Sequence, residues 1–290
     1  MPLVADLIAQ ALNGLAYGAL LFLLAVGLTL IFGLLDVVNL AHGSLYMLGA
    51  YAGLAVIGVT GNFWLALLVA PLLVALVGVA IERTCLRPLY RRPVLDQVLL
   101  TFGLIYLFED AIKWLFGGRI RSIPGPALFA GSVTLGGLTY PSYRLFVIAF
   151  GLTMAVALWL LIERTRLGSV IRAGVYDAEM AAGLGINIHR VFTAVFAFGA
   201  ALAGLSGVIA GPIQSAYPAM GVSILIPALI VVVVGGLGSL KGSLAGSLII
   251  GQAETFGKAW LPEAAMLMIY VVMALVVLLR PQGLFGRPLK

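Results

Sequence analysis

Long apolar runs separated by short polar breaks organise this chain: 12–35, 43–59, 63–81, 97–116, 145–162, 191–213 and 264–280. Each is close to the roughly 20 mostly apolar residues that carry a helix across a bilayer. Two shorter runs, 223–237 and 244–258, flank a glycine cluster. The pattern predicts an all-α polytopic bundle of about eight spans with interrupted helices, in one membrane domain over 1–290. Small residues recur every fourth position, on one helix face. Gly199, Ala203, Gly207 and Gly211 form one stripe, Ser239, Ser243, Ser247 and Gly251 a second, and Gly14 with Gly18 a short third. Such faces let helix backbones approach closely in lipid and predict tight helix pairs.

Composition strengthens the membrane reading. The chain has 290 residues, 62% hydrophobic and 10% charged, with a mean hydropathy of +1.15, well above soluble domains. No polar stretch is long enough to bury a core of its own. Asp6 stands where a signal peptide needs a basic segment, so the N-terminus reads as a retained membrane element. The lone Cys85 excludes an intramolecular disulfide framework and a cysteine-rich metal site.

The net charge of +6 acquires meaning from its placement. Arg83, Arg87, Arg91 and Arg92 occupy the 82–97 loop; Arg164, Arg166, Arg172 and Arg190 the 163–190 loop; Arg280, Arg287 and Lys290 the tail. The positive-inside rule makes these segments cytoplasmic, C-terminus included. Arginine is thus read as topology, and no nucleic-acid partner is implied. The 117–144 loop also carries Arg119, Arg121 and Arg144, but Pro124, Pro126 and Pro141 suit an external loop.

Two near-repeats stand out. Ile81-Glu82-Arg83-Thr84-Cys85-Leu86 parallels Ile162-Glu163-Arg164-Thr165-Arg166-Leu167, each ending an apolar run. His42-Gly43-Ser44-Leu45 parallels Lys241-Gly242-Ser243-Leu244, each opening a run, with a serine at the expected N-cap. Interrupted hydrophobic segments in corresponding parts of a transporter mark its substrate path. Asn39, His42, Gly43 and Ser44, with Gly235, Gly236, Gly238 and Ser239, are the candidates. Ordinary loops at the cytoplasmic surface are the competing reading. No metal site is expected, because His42 has no ligand cluster near it in sequence. Asp36, His42 and Ser44 are too few to suggest an intramembrane enzyme, and no catalytic residues are assigned.

The 163–190 loop holds a further element, Arg172 to Asn187. Asp177 can cap a short helix, Glu179 sits at its positive end, and Gly183 or Gly185 can stop it. Too short to span, it lies outside the bilayer with Met180, Ala181 and Leu184 as an apolar face. The cluster Gly235-Gly236-Leu237-Gly238-Ser239-Leu240-Lys241-Gly242 lacks the Gly-Lys-Ser/Thr ending of a P-loop, so any ATP is hydrolysed by another chain.

Four segments in order carry a resemblance: Gly27–Gly33 through Asn39–Gly43, Arg172 through Asn187, Gly235–Ser239, and Arg280–Pro288. Together they resemble the LivH-type permease of branched-chain amino-acid ABC importers, over nearly the whole length. The resemblance implies a type II-like importer permease fold in the bacterial inner membrane. It also implies a second homologous permease subunit, two cytosolic ATP-binding subunits holding ATP and magnesium, and a periplasmic or extracellular solute-binding protein. The chain itself would hold no cofactor. The family's coupling helix maps to Glu179, Ala182 and Gly185, with Asp177 and Arg172 alongside. The implied solute is a branched-chain or related hydrophobic amino acid. Related permeases serve urea and other small polar solutes, and a standalone facilitator or secondary transporter is the rival class. Glu109, Asp110 and Lys113 near a span end, and Glu254 with Lys258 spaced for i,i+4 pairing, favour an externally powered machine.

Overall fold

A computed structural model describes residues 2–35, 37, 39–90, 92–135 and 138–286. Asp36, Arg91, Arg287, Pro288 and Lys290, named above, lie outside them. Each predicted apolar run falls on a helix, though 223–237 runs past the end of its helix at Gly235 and 264–280 past Leu279. The long elements are α1 (Pro2–Leu35), α2 (His42–Thr60), α3 (Phe63–Ile81), α4 (Val94–Phe116), α5 (Ser142–Arg164), α8 (Ile188–Gln214), α9 (Met220–Gly235), α10 (Leu240–Trp260) and α11 (Ala265–Leu279). Between α5 and α8 lie α6 (Arg166–Tyr176) and α7 (Ala178–Gly183). Among the described residues, five helices are long and apolar enough to cross a membrane; α9 and Leu267–Leu279 of α11 are apolar but shorter. Outside the bundle, β1 (Ser132–Leu135) pairs antiparallel with β2 (Leu138–Pro141), a small hairpin the helical pattern did not foretell.

Burial follows the stripes of small residues. The second and third stripes face each other: a side chain at Gly18 would meet the Ser247 carbonyl at 2.9 Å, and one at Gly251 the Gly14 carbonyl at 2.5 Å, so α1 and α10 run antiparallel with backbones touching. The Thr29 and Ser243 hydroxyls bond at 2.7 Å along the same seam. The first stripe seats α8 on α1 at Gly199, on α2 at Gly207 and on Ile123 at Gly211. Within apolar surroundings such close packing and hydroxyl bonding supply the helix association that the hydrophobic effect cannot. The outer helices show Leu68, Leu72 and Leu76 of α3, Leu152 and Val156 of α5, and Leu275 and Leu278 of α11. An apolar surface of that extent is stable only against lipid or another chain.

Two units of opposite direction make up the centre. In the first, α1 ends at Leu35 and the chain turns back, so that His42 begins α2 beside Leu24, three helical turns back along α1. In the second, α8 ends at Gln214 and the chain turns back, so that α9 begins at the level of Gly43. The units meet reciprocally. A Cβ on Gly27 would lie 2.7 Å from the Gly199 oxygen and one on Gly199 2.9 Å from the Gly27 oxygen. Gly43 and Gly221 stand in the same mutual relation at the two helix starts. α3 then packs on α8 through Gly78 against Ala200 and Val74 against Gly204, as α10 packs on α1.

One end of the bundle gathers the C-terminal ends of α1 and α3, the 163–190 loop and the α9–α10 turn: Gly33 touches Gly238, Val175 lies near both, and Thr193 bonds Glu82 at 2.8 Å. The tail docks there too. Leu284 and Phe285 donate their amides to the Val234 and Gly235 carbonyls at 2.9 and 3.0 Å, satisfying acceptors that the end of α9 leaves open.

Candidate functional site

The 39–44 break lies inside the bundle. His42 is fully buried, and its Nε2 donates to the Leu24 carbonyl at 3.1 Å, which leaves Nδ1 as an acceptor. Among the described residues, Nδ1 and Asn39 Oδ1 are buried without a hydrogen-bond partner. Polar atoms in that condition cost free energy unless something else satisfies them. Gly43 permits the approach to Gly221, and Ser44 is buried in the first turn of α2. The expected serine caps are corrected here. Ala41 precedes α2 with no side-chain cap, and Ala219 likewise precedes α9. In α10 the cap is Ser239, whose Oγ accepts from the Gly242 amide at 3.0 Å, and Ser243 instead bonds Thr29.

The glycine cluster lies elsewhere. Gly235 and Gly236 are buried, where Gly235 packs on Gly242 and Gly236 on Gly286; Gly238 is exposed and Ser239 half-buried. Gly236 and Gly238 adopt φ of +97° and +75°, which turn α9 into α10 and suit glycine. Since Gly221 already contacts Gly43, the turn at Gly235 is on the order of 20 Å away along α9. The structure therefore does not bring the two predicted breaks together. The counterpart of the 39–41 break is the 215–219 return, which lies in the gap between the 191–213 and 223–237 runs and was not among the predicted breaks.

Local physics shapes the 163–190 loop as expected. Asp177 Oδ1 accepts from the Met180 amide at 2.8 Å, α7 runs one and a half turns, and Gly185 leaves it at φ +87°. Glu179 and Ala182 are exposed. One face residue differs from expectation: Ala181 is buried, and Tyr176 joins Met180 and Leu184 in an exposed apolar patch. Met180 and Leu184, one helical turn apart, lie on one side of α7, Tyr176 ends α6 just before the extended Asp177, and Ala181 holds α7 to the bundle. Arg172 is apart from that patch. It sits on α6, donates to the Ile162 carbonyl, and faces Glu163 at 3.6 Å, so it ties α6 to the end of α5. Gly174 packs on Leu34 and Val175 on Gly33 and Gly238, which joins α6 to the end of α1 and the α9–α10 turn.

A buried ion pair completes this end. Glu82 is fully buried; Arg87 reaches it through Nε at 3.2 Å and Nη2 at 3.0 Å, Tyr90 donates its hydroxyl at 2.9 Å, and Thr193 of α8 donates at 2.8 Å. Burial and the adjoining carboxylate push the Tyr90 phenol well above its ordinary pKa, so it remains a donor. Residues 82–86 form a π-helical turn that carries Arg87 round to its partner. The Ile-Glu-Arg-Thr repeat was the available signal. In both copies the glutamate pairs with a later arginine, Glu82 with Arg87 and Glu163 with Arg172, and not with the arginine beside it.

Comparison with known proteins places these features among transport permeases. The family described as "Branched-chain amino acid transport system / permease component" matches residues 10–277. The chain is similar to the high-affinity branched-chain amino acid transport system permease protein BraD of Pseudomonas aeruginosa, at 32% identity over 99% of this chain and 98% of the relative. It is also similar to the corresponding protein LivH of Escherichia coli K12, at 32% identity over 96% and 95%. Among solved structures, a chain of PsaBC from Streptococcus pneumoniae in complex with Fab aligns with a TM-score of 0.49 at 16% identity, over 92% of this chain and 89% of that one.

Proposed function

This chain belongs to the branched-chain amino acid transport permease family, and from that premise we propose that it forms half of the passage of an ATP-driven importer for branched-chain amino acids. A second permease chain supplies the other half. Two cytosolic ATPases grip the end carrying α6 and α7, so that this end and the C-terminal tail face the cytoplasm, and a solute-binding protein delivers substrate at the opposite end. The solute is taken from what the named relatives carry.

The observation that carries the reading is α7. A helix capped at Asp177 and stopped at Gly185, exposing Met180 and Leu184 beside Tyr176 at the end of α6, offers the kind of short amphipathic element that seats in a partner's groove. Motion given to α7 passes to α6 through the Asp177 junction. From α6 it reaches Gly33, Leu34 and Gly238, and so the chain that turns back toward Asn39 and His42. The buried Glu82–Arg87–Thr193 contact keeps the end of α3 moving with the start of α8. Closure of the ATPases thereby reaches the helix breaks at the centre and alternates access.

Substituting Met180→Asp and Leu184→Asp together is expected to cut ATPase co-purification with the permease at least tenfold in mild detergent, with the permease still monodisperse. Undiminished co-purification would refute the docking role. Asp177→Ala removes the cap, at about 1 kcal/mol, and is expected to lower transport per ATP hydrolysed, whereas Asp177→Asn, an equally good cap, retains it. Leucine uptake by proteoliposomes holding all subunits, set against urea uptake, tests the solute.

A further inference from the structure

At the end opposite α7, α1, α5, α8 and α10 enclose a cavity of about 330 Å³ whose wall carries charge of both signs. Glu254 gives Oε1 to Lys258 at 2.5 Å, and its carboxylate also faces the hydroxyl of Tyr17. Across the cavity Arg144 donates to Asn13 Oδ1, which also accepts from the Tyr140 hydroxyl at 3.0 Å. That single bond uses one of the five donors of a guanidinium.

α1 sets the spacing between these charges. Asn13, which holds Arg144, and Tyr17, whose hydroxyl lies beside the Glu254 carboxylate, are four residues apart on one face of that helix. The cationic and anionic groups are therefore offset by about one helical turn, on the order of 5 Å. Leu20 and Ile213 add an apolar wall. Gln214 closes the inner side, and its Oε1 accepts from the hydroxyl of Tyr46, one turn past His42 on α2. The cavity is thus linked to the buried break by a single hydrogen bond.

We propose that this cavity binds an α-amino acid as its zwitterion on entry to the passage. The ammonium donates to the Glu254 carboxylate, the ligand's carboxylate accepts from Arg144, and the aliphatic side chain lies against Leu20 and Ile213. A solute with only one of the two charges leaves either Glu254 or Arg144 unanswered, which makes this a site of discrimination beyond that of the binding protein.

The proposal rests on the importer reading, and the test separates the two. Labelled L-leucine, 3-methylbutylamine and 4-methylpentanoate are titrated onto the detergent-purified complex without binding protein, alongside leucine uptake by the wild-type complex in proteoliposomes. Glu254→Gln is expected to weaken leucine and the amine tenfold or more and to leave the carboxylate; Arg144→Gln is expected to weaken leucine and the carboxylate and to leave the amine. The unaffected probe serves as the folding control in each variant. A wild-type complex that transports leucine but shows no saturable binding, or variants that bind all three probes as wild type or lose all three equally, would overturn the site. Failure of the wild-type complex to transport leucine would instead overturn the importer reading.

Discussion

Gly43→Ala and Gly221→Ala are each expected to lose most of the folded chain on mild heating in detergent. In either case the new methyl group meets backbone: at Gly43 it collides with the Gly221 carbonyl, and at Gly221 it lies 2.8 Å from the Gly43 oxygen. Backbone oxygens at a helix crossing cannot rotate away as a side chain can, so α2 and α9 must separate. Overpacking of this kind costs about 1–3 kcal/mol, and the absence of a flexible neighbour puts both substitutions at the upper end. Gly58 supplies the internal control, since it lies in α2 with open space around its would-be Cβ. Gly58→Ala is expected to be neutral or to stabilise by roughly 0.5–1 kcal/mol through helix propensity. The double Gly43→Ala, Gly221→Ala chain should cost less than the sum of its parts, because helices already separated by one methyl group accommodate the other. The fraction of monodisperse protein surviving a temperature series measures all four. Equal behaviour of Gly43→Ala and Gly58→Ala would mean that the two helix starts do not meet as described.

Arg87→Ala is expected to destabilise the chain by about 3–5 kcal/mol, the cost of stranding a buried charge. Glu82 has no exposure of its own, and after the substitution Tyr90 and Thr193 are the donors left to it among the described residues. The side chain of Arg87 is 35% exposed, which places the effect toward the lower figure. Replacing both partners, Glu82→Leu with Arg87→Leu, removes the charge along with its countercharge and should recover much of the loss. Thermal unfolding of the purified chain gives the stabilities. Leucine transport by the complete complex then asks whether the pair also carries motion between α3 and α8: a double variant as stable as wild type but slow in transport shows that it does, and one with full transport shows that it serves stability alone.

The sites differ in how far they could be read from the chain alone, and the difference lies in the range of the contacts involved. Asp177 and Gly185 act on neighbours within a few residues, through an N-cap bond to Met180 and a positive φ at a helix end. Residue type and order suffice for such features. The stripes of Gly, Ala and Ser predicted close helix pairs correctly, but not that the Gly14–Gly18 stripe and the Ser247–Gly251 stripe were partners. Ala181 shows the limit within one short helix: polarity placed it with Met180 and Leu184, whereas the packing of α7 on the bundle turned it inward.

Hydropathy and charge alone determined that this is a bundle of membrane helices with a basic loop at one end, because burying apolar runs in lipid requires nothing from the rest of the chain. The same sequence also marked α7 as the loop's separate helix. Only the tertiary structure decided that the 39–41 break pairs with 215–219 and not with the 235–239 turn, that Glu82 is buried against Thr193, and that Glu254 shares a cavity with Arg144. Each of these rests on backbone or charged groups more than 100 residues apart, whose meeting depends on how the helices cross. A helix's own sequence shows which face is small or polar, and the crossing decides what that face meets.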